Sequence, residues 1–321
     1  MSERSERTPS RDPSVTVVLP TFRRPESLAA ALRGLSRLDD PGLPWDLIVV
    51  DNDPPGAEPA FAAHGTSIPT RTRLVAEPRP GVAHARNRGI AESTGWVTAM
   101  IDDDVVPEPG WLRELVAPIV AGRADGTGGR VVLDPRVRRP RWFDEAGIGG
   151  YLASFAPAIE DHDIDGRGYL LTASMALRTD LLRETGGFDA ALGPVGAAYL
   201  ANEDVLLCRR FMARGGRLRY VPAAVVVHEL PPDRLRMRHL LRRAYQQGRS
   251  DWLVDRDTLI TRPLCGAGRA AAYLGHETRR RAGEGLTRPE VAFHELTDVA
   301  RTAAAFVSAG RFMVERARGR R

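Results

Sequence analysis

The sequence predicts an α/β protein built on an open, mostly parallel sheet that is covered by helices. Short apolar runs rich in β-branched residues alternate along the chain with segments whose apolar residues recur at helical spacing. The runs are almost continuously apolar, as expected for parallel strands that are buried on both faces. Acidic residues follow two of these runs, and ligands in such sheets bind at the carboxyl ends of the strands. The pattern therefore predicts both the fold class and the location of a site.

The first 120 residues contain most of the alternating segments. The predicted strands are VTVVLP, DLIVVD, TRLVAEP and WVTAMI, and the predicted helices are RPESLAAALRGLSRL, GVAHARNRGIAEST and PGWLRELVAPIV. Pro25 suits the first turn of a helix, and Leu28, Leu32 and Leu35 recur on one helical face. Strands that alternate with helices at this spacing favour a parallel sheet.

The regularity weakens after residue 125. GGRVVLDP, LLTASMALR and RLRYVPAAVVVHEL are predicted strands, the last as one strand or two, and RTDLLRETGGFD and NEDVLLCRRFMARGG are predicted helices. From residue 231 onward the chain is predicted to be helical and carries 19 Arg against 10 Asp and Glu residues. We predict three regions: a disordered N-terminus (1–13), an α/β domain (14–230) and an Arg-rich helical extension (231–321).

The helical extension ends in a segment with an apolar stripe. The stripe consists of Phe293, Leu296, Ala300, Ala303, Val307 and Val314. An amphipathic helix most often buries such a stripe against its own protein, so we expect this segment to pack on the α/β domain. The alternative is that the basic helices lie on an anionic membrane surface.

Composition and cysteine usage narrow the class of protein. Hydrophobic residues make up 43% of the chain and charged residues 27%, as in ordinary globular domains. Cys208 and Cys265 form no CxxC pair, which argues against a zinc ribbon or a disulfide framework. The N-terminus lacks the apolar region of a secretory signal, and no apolar run reaches the ~20 residues that span a bilayer. We therefore expect a cytoplasmic protein. The alternative is a cytoplasmic protein that also makes peripheral contact with the inner face of the membrane.

Three adjacent carboxylates, Asp102, Asp103 and Asp104, follow directly on the apolar segment WVTAMI. Like charges this close repel one another, and a carboxylate beside an apolar core is costly without a cation. Mg²⁺ and Mn²⁺ prefer oxygen ligands and bridge carboxylates to substrate phosphates. The triplet alone is compatible with a divalent-cation site and with a solvated acidic turn.

Three other features are ambiguous when each is taken alone. Glu203 and Asp204 follow Asn202 at the start of a predicted helix, where such residues either cap the helix or supply a general base. His228 ends a predicted strand and is either structural or a metal ligand. Asp51 also ends a strand, but no GxGxxG follows the first strand, which excludes a dinucleotide-binding domain.

Taken together, seven segments resemble the family-2 glycosyltransferases, which have the Rossmann-like GT-A fold. They are VVLPTFRRPESL, VVDN, GVAHARNRGI, IDDDVVPEPGWL, TASMALRTDLLRETGGFD, NEDVLLCRRFMARGG and VVVHE, in this order over about residues 14–230. The resemblance implies an inverting enzyme that moves a sugar from a nucleoside-diphosphate sugar, with a UDP-sugar favoured, to a hydroxyl or amine acceptor. It also implies a divalent cofactor, Mg²⁺ or Mn²⁺.

The resemblance assigns roles to residues of this chain. Asp204 resembles the catalytic base, with Glu203 beside it in the catalytic pair, and the dipole of their helix is expected to lower the pKa of Asp204. The expected metal ligands are Asp104, Asp102 and His228. The expected contacts to the donor nucleotide are Pro20, Thr21, Arg23, Asp51, Arg86, Asp102 and Asp103. Because the family motif is DXD, the run of three aspartates leaves the register of metal and ribose contacts open.

Two alternative functions stand beside this one. A nucleotidyltransferase normally has a Gly-rich basic loop after its first strand, and LPTFRRP has no glycine. The second alternative is a non-catalytic scaffold that binds a nucleotide sugar. The intact acidic motifs, Asp102–Asp104 and Glu203–Asp204, argue against it. We expect no nucleic-acid binding, because the arginines of the tail are interleaved with acids. The acceptor stays open among a polysaccharide, a lipid-linked sugar and a small or carrier-bound metabolite.

Overall fold

The computed structural model describes residues 13–140, 142–143, 148–166, 168–195, 198–260, 296–305 and 307–308. These residues form two compact units. The first comprises the described residues of Met1–Val132, Ala156–Ala190 and Glu203–Glu229, and the second those of Leu133–Phe155, Ala191–Asn202 and Leu230–Arg321. The division of the chain into three regions stays a prediction, because the second unit draws in two internal segments and residues 1–12 lie outside the described ones.

We number the strands and helices in chain order. The strands are β1 (Val15–Thr21), β2 (Trp45–Asp51), β3 (Arg71–Ala76), β4 (Val97–Ile101), β5 (Val105–Pro107), β6 (Gly126–Leu133), β7 (His162–Ile164), β8 (Ser174–Arg178), β9 (Gly193–Val195), β10 (Ala198–Leu200) and β11 (Leu218–His228). The helices are α1 (Pro25–Leu35), α2 (Glu58–His64), α3 (Val82–Glu92), α4 (Trp111–Val120), α5 (Thr179–Glu184), α6 (Glu203–Ala213) and α7 (Met237–Ile260).

The first unit is built on a nine-stranded sheet with the strand order β3-β2-β1-β4-β8-β6-β11-β5, and β7 pairs with β11. β1 runs parallel to β2 and β4, and β2 runs parallel to β3. β8 is antiparallel to β4 and β6, and β11 is antiparallel to β5 and β7. The predicted α/β class is confirmed. The strands formed by the first hundred residues, β1 to β4, pair in parallel, and the strands in the other half of the sheet pair antiparallel.

The central strands of this sheet are apolar because helices and neighbouring strands bury them. Every residue of β1 and β4 is buried, as are the last five residues of β2. Helix α3 approaches β1 closely at Gly89, where an added Cβ would collide with the side chain of Val18. Arg86 lies one turn before Gly89 on the same face of α3, so this contact directs the arginine towards the carboxyl edge of the parallel strands.

The second unit has its own apolar cluster and a long helix. Its cluster consists of Leu133, Ile148, Leu152, Leu230, Leu235 and Leu240. β9 and β10 form a two-stranded antiparallel sheet, and α7 extends to Ile260, beyond the predicted segment. Residues 296–305 are helical, and the backbone of Arg301 comes so close to Gly248 of α7 that a Cβ at Gly248 would collide with it. Glycine is therefore required at Gly248 for these two helices to touch.

The predicted apolar stripe is not the buried face of the 296–305 helix. Thr297 and Ala304 are buried, whereas Leu296 and Val307 are 52% and 44% exposed. The prediction of that face was wrong, because the helix packs through small and polar side chains rather than through its largest apolar ones. Phe293 and Val314 lie outside the described residues. Within the described ranges, none of the helices combines the length and the apolarity needed to cross a bilayer.

Candidate active site

The acidic triplet occupies the tight link between β4 and β5. β4 ends at the buried Ile101 and β5 begins at Val105, so Asp102, Asp103 and Asp104 fill the whole connection. Their side chains are 27%, 7% and 18% exposed, respectively. Two of the three carboxylates are thus largely removed from water and need cationic or hydrogen-bonding partners.

The sheet topology brings His228 to Asp104. β5 and β11 pair antiparallel with His228 opposite Val105, and the backbone N–H of Glu229 donates to the carbonyl oxygen of Asp104 at 3.0 Å. His228 is buried, and its Nε2 lies 3.5 Å from Asp104 Oδ2. Residues from distant parts of the sequence therefore present a carboxylate oxygen and an imidazole nitrogen to the same place.

Asp103 is held by residues at the end of β1. Thr21 Oγ1 donates to Asp103 Oδ2 at 2.8 Å, and Arg24 Nη1 donates to Asp103 Oδ1 at 3.1 Å. The same Arg24 nitrogen donates to Asp104 Oδ2 at 2.9 Å. Burial, followed by the charge of Asp104, raises the pKa of Asp103 to about 6. The predicted contact of Thr21 with a nucleotide stays a prediction. Arg24 is a site residue that the sequence did not indicate.

A single buried arginine joins the acidic triplet to the start of α6. Arg86 Nη2 donates to Asp102 Oδ1 at 2.8 Å, and Arg86 Nη1 donates to Glu203 Oε1 at 2.9 Å. The arginine side chain is 4% exposed, and its guanidinium lies 5.3 Å from the centre of the Phe188 ring. The structure therefore places Glu203 of the predicted catalytic pair and Asp102 of the acidic triplet on one cation.

Asp204 is the second residue of helix α6, directly after Glu203. Its Oδ1 accepts a 2.8 Å hydrogen bond from the backbone N–H of Val205. Burial of the carboxyl group, followed by the charge of Glu203, raises the pKa of Asp204 to about 7. The expectation that the helix dipole lowers this pKa was wrong, because burial and the neighbouring carboxylate outweigh the hydrogen bond from Val205 and the charge of Arg86.

The carboxyl ends of β1 and β2 carry several of the residues that are predicted to contact the nucleotide. Asp51 is buried, and its two oxygens accept backbone N–H groups of Asp53 at 3.0 Å and Ala57 at 2.8 Å. Arg23 has a positive φ of 53°, and its exposed guanidinium binds Asp53 at 2.6 Å. Pro20 is buried in β1 opposite Val50. These predicted contacts share the carboxyl edge of β1 and β2, and their role towards a nucleotide stays a prediction.

Asn52, another residue that sequence reasoning passed over, fixes the backbone between β2 and α3. Its Nδ2 donates to the carbonyl oxygens of Glu77 at 2.7 Å and Arg79 at 2.6 Å, and its Oδ1 accepts from the N–H of Gly81 at 2.9 Å. Asn52 therefore sets the path of the chain that leads into α3 and thus to Arg86. The only signal in the sequence was its place directly after Asp51.

Two of the three expected metal ligands, Asp104 and His228, lie close enough together to share a divalent cation. A carboxylate oxygen of Asp104 and the imidazole nitrogen of His228 are ligand types that Mn²⁺ accepts. Asp102, the third expected ligand, faces Arg86 instead, and no group of three His, Cys, Asp or Glu side chains in the described ranges is arranged to hold a metal ion. The assignment of Asp102 to the metal stays a prediction.

Several curated proteins are similar to this chain. The pre-mycofactocin glycosyltransferase of Mycobacterium tuberculosis is 30% identical over 202 residues, which cover 59% of this chain and 38% of that protein. The glucosyl-dolichyl phosphate glucuronosyltransferase of Haloferax volcanii is 29% identical and is covered over 56% of its length. The chain thus spans less than two thirds of either relative. The succinoglycan biosynthesis protein ExoM of Rhizobium meliloti is 30% identical over 72% of this chain and 71% of its own.

Solved structures share the fold. The mannosyltransferase PcManGT from Pyrobaculum calidifontis, in complex with GDP-Man and Mn²⁺, superposes with a TM-score of 0.55 over 94% of this chain and 88% of its own, at 20% identity. TarS 1-349 of S. aureus, in complex with UDP-GlcNAc, gives a TM-score of 0.52 over 73% of this chain and 67% of its own, at 13% identity. Both likenesses support the GT-A fold that the sequence predicted.

The sequence profile described as glycosyl transferase family 2 matches residues 16–184, which is more than half of the chain. The matched range contains β1, the acidic triplet, Arg86 and β8. The match covers four of the seven segments on which the predicted resemblance rested and most of a fifth, TASMALRTDLLRETGGFD, whereas NEDVLLCRRFMARGG and VVVHE lie beyond it. The chain therefore belongs to glycosyl transferase family 2.

Proposed function

We propose that the chain is an inverting glycosyltransferase that moves a sugar from a nucleoside-diphosphate sugar to a hydroxyl or amine acceptor. The observation that carries the proposal is the bridge from Asp102 through Arg86 to Glu203. It brings the acidic triplet and the base candidate Asp204, which are far apart in sequence, to one place in the first unit. Nucleotide-sugar transfer needs both features within reach of one donor sugar.

The charges of this cluster suit the departure of a nucleoside diphosphate. Negative charge grows on the diphosphate as the glycosidic bond breaks, and preorganised cations lower the barrier by stabilising that charge. Asp104 and His228 would hold a divalent cation, Mn²⁺ or Mg²⁺, which would supply this stabilisation at the diphosphate. Asp102 is the third candidate ligand, and Asp103 is positioned by Thr21 to serve either the metal or the ribose.

Asp204 supplies the second half of the chemistry. Inversion is a single in-line displacement, so one carboxylate is sufficient to take the proton from the attacking acceptor group. A general base works best with a pKa near the operating pH, and a pKa of about 7 meets this condition. Glu203 accepts a hydrogen bond from Arg86, so its proposed role is to hold the start of α6 and to raise the pKa of Asp204.

The donor nucleotide is assigned to the edge formed by β1 and β2. Thr21, Arg23 and Asp51 would contact the ribose and base, and a UDP-sugar is the favoured donor. The structural neighbours support a nucleotide-sugar donor, since they carry GDP-Man and UDP-GlcNAc. The relatives act on acceptors as different as pre-mycofactocin and a glucosyl-dolichyl phosphate, so the acceptor class is left open.

The decisive experiment is a panel of UDP-, GDP- and dTDP-sugars incubated with the protein and Mn²⁺ or Mg²⁺. Glycosyl transfer or donor hydrolysis releases a nucleoside diphosphate, whereas transfer of the nucleotidyl group from the same donors releases a sugar 1-phosphate. Binding without turnover would indicate a scaffold. Failure to bind or turn over any donor would refute the proposal.

Two variants test the division of labour. Asp204→Asn should lower the transfer rate by ~10²–10⁴-fold and leave donor affinity nearly unchanged. Asp104→Ala should weaken both donor and Mn²⁺ binding. Asp46→Asn is the matched control, because Asp46 lies at the opposite end of β2 and accepts a hydrogen bond from Thr16. Equal losses of donor affinity in the Asp204 and Asp104 variants would contradict the assigned roles.

A further inference from the structure

Arg24 contributes a cation to the place where the proposed metal would bind. Its Nη1 lies 2.9 Å from Asp104 Oδ2 and 3.1 Å from Asp103 Oδ1, and His228 Nε2 lies 3.5 Å from the same Asp104 oxygen. One carboxylate oxygen of Asp104 thus faces both the arginine and the histidine. Arg24 directly precedes α1, whose first residue is Pro25, so its backbone is anchored at the end of β1.

The two arginines of the site differ in how firmly they are held. Arg86 is 4% exposed, and its two terminal nitrogens each bind a different carboxylate. Arg24 is 43% exposed, and a single terminal nitrogen makes both of its contacts to the triplet. A long arginine side chain with this exposure can turn towards solvent without opening the core, whereas Arg86 cannot. Arg86 is therefore a fixed part of the site, and Arg24 is exchangeable.

We infer that Arg24 is the counter-cation of Asp103 and Asp104 and must leave Asp104 when a divalent cation binds there. The inference rests on the metal site of the proposed function. A divalent cation lies about 2.1 Å from a carboxylate oxygen that ligates it, so it would occupy the space of the Arg24 hydrogen bond. The two positive charges would also repel each other. Metal and arginine are consequently alternatives at Asp104.

The exchange has a measurable consequence for metal affinity. The hydrogen bond between Arg24 and Asp104 joins two charged groups, and breaking it opposes metal binding in the donor-free protein. Arg24→Met removes the competing cation and keeps an unbranched side chain of similar length. We expect Arg24→Met to bind Mn²⁺ about tenfold more tightly than the wild-type protein, as measured from free Mn²⁺ by electron paramagnetic resonance.

The matched control is Arg33→Met. Arg33 lies in the last turn of α1, about 13 Å along the helix from Arg24, and it is exposed. This variant loses the same charge, so an effect of net charge alone would tighten Mn²⁺ binding in both variants, whereas relief of the local competition would tighten it only in Arg24→Met. Arg24→Lys keeps the charge beside the triplet and should bind Mn²⁺ nearly as weakly as the wild-type protein.

The outcomes separate this inference from the proposed function. Mn²⁺ affinity that is unchanged or weaker in Arg24→Met, or raised equally in Arg33→Met, would overturn the exchange. In that case the metal site of the proposed function would still be supported if the wild-type protein binds Mn²⁺ and Asp104→Asn does not. Absence of Mn²⁺ binding in every variant, with and without a donor, would overturn both.

A measurement on the wild-type protein covers the case in which Arg24→Met does not fold. Crystal structures with and without Mn²⁺ should differ at the contact between Arg24 Nη1 and Asp104 Oδ2, which is 2.9 Å in the structure described above. We expect this distance to exceed 4 Å when Mn²⁺ is bound to Asp104. A metal-loaded structure that retains the hydrogen bond would refute the exchange.

Discussion

Arg86 Nη1 donates a 2.9 Å hydrogen bond to Glu203 Oε1 across 117 positions of sequence. Because the other terminal nitrogen of Arg86 binds Asp102, this contact ties the connection after β4 to the first turn of α6. The two elements are the ones to which the triplet and the candidate base belong. The integrity of the site therefore depends on a cation that is itself almost inaccessible to solvent.

The first prediction concerns the stability supplied by this arginine. Arg86→Met leaves Asp102 and the buried Glu203 without their cation, and removing one partner of a buried ion pair costs about 3–5 kcal/mol. We expect the free energy of unfolding, measured in urea, to fall by this amount. Arg88→Met is the control on the same helix. The Arg88 side chain is 41% exposed, so its ion pair with Glu92 contributes less than about 1 kcal/mol to stability. Similar losses in the two variants would argue against a central role for Arg86.

The second prediction concerns the pH dependence of transfer. A base must be unprotonated to accept a proton, and the pKa of Asp204 is raised to about 7. We expect kcat/KM, which reports groups of the free enzyme, to rise tenfold per pH unit below about 7 and to level off above it. Glu203→Gln removes a neighbouring negative charge and should move the inflection to lower pH. An inflection that stays in place in this variant would contradict the coupling of the two carboxyl groups.

The third prediction concerns Glu77, which supports the backbone around Asn52. Hydrogen bonds from Arg79, partly opposed by burial, lower the pKa of Glu77 from 4.5 to about 2. A depressed carboxyl pKa stabilises the folded state above the ordinary pKa, and the stabilisation disappears as the pH falls towards the folded value. The difference in unfolding free energy between the wild-type protein and Glu77→Gln should therefore shrink as the pH falls from about 5 to about 3. The exposed Glu58→Gln change should show no such trend.

The fourth prediction concerns the contact between α7 and the 296–305 helix. A valine at Gly248 would collide with the backbone of Arg301, and overpacking of this kind typically costs ~1–3 kcal/mol. We expect Gly248→Val to lower the melting temperature. Gly150→Ala is a suitable control within the same unit, because an added Cβ at Gly150 meets no atom within 4 Å. A melting temperature unchanged by Gly248→Val would contradict the packing of these helices.

The fifth prediction addresses the alternative role of the basic C-terminal region. Because the 296–305 helix buries Thr297 and Ala304 within its own unit, we expect the protein to remain in the supernatant when it is centrifuged with anionic vesicles at physiological salt. Sedimentation at low salt that high salt reverses would instead support an electrostatic attachment to the membrane.

Much of the first unit could be predicted because its signals are local. Apolar runs and helical spacing identified β1, β2, β4 and α1, and the acids at the strand ends located the site. His228 was a plausible partner for the triplet only through the family resemblance, since its contact with Asp104 depends on the pairing of β11 with β5. Sheet pairing between distant strands leaves no mark in the local pattern.

The features that sequence reasoning missed or misjudged depend on burial. Arg24 is one arginine among many in sequence, and its importance arises from the fold of the β4–β5 connection against the end of β1. The pKa of Asp204 was misjudged because the helix dipole can be inferred from sequence, whereas desolvation cannot. The buried face of the 296–305 helix was misjudged because it follows from a backbone contact at Gly248 rather than from apolar side chains.

The pairing of β11 with β5 limits how this protein can change. From Ala224 to His228, in the last part of β11, buried and partly buried side chains alternate, and His228 is buried. Deleting one residue from the strand would shift every following side chain to the opposite face and remove the imidazole from Asp104. Length changes are therefore much better tolerated in the loops that precede β11 than within the strand, and engineered insertions that aim to preserve the site belong in those loops.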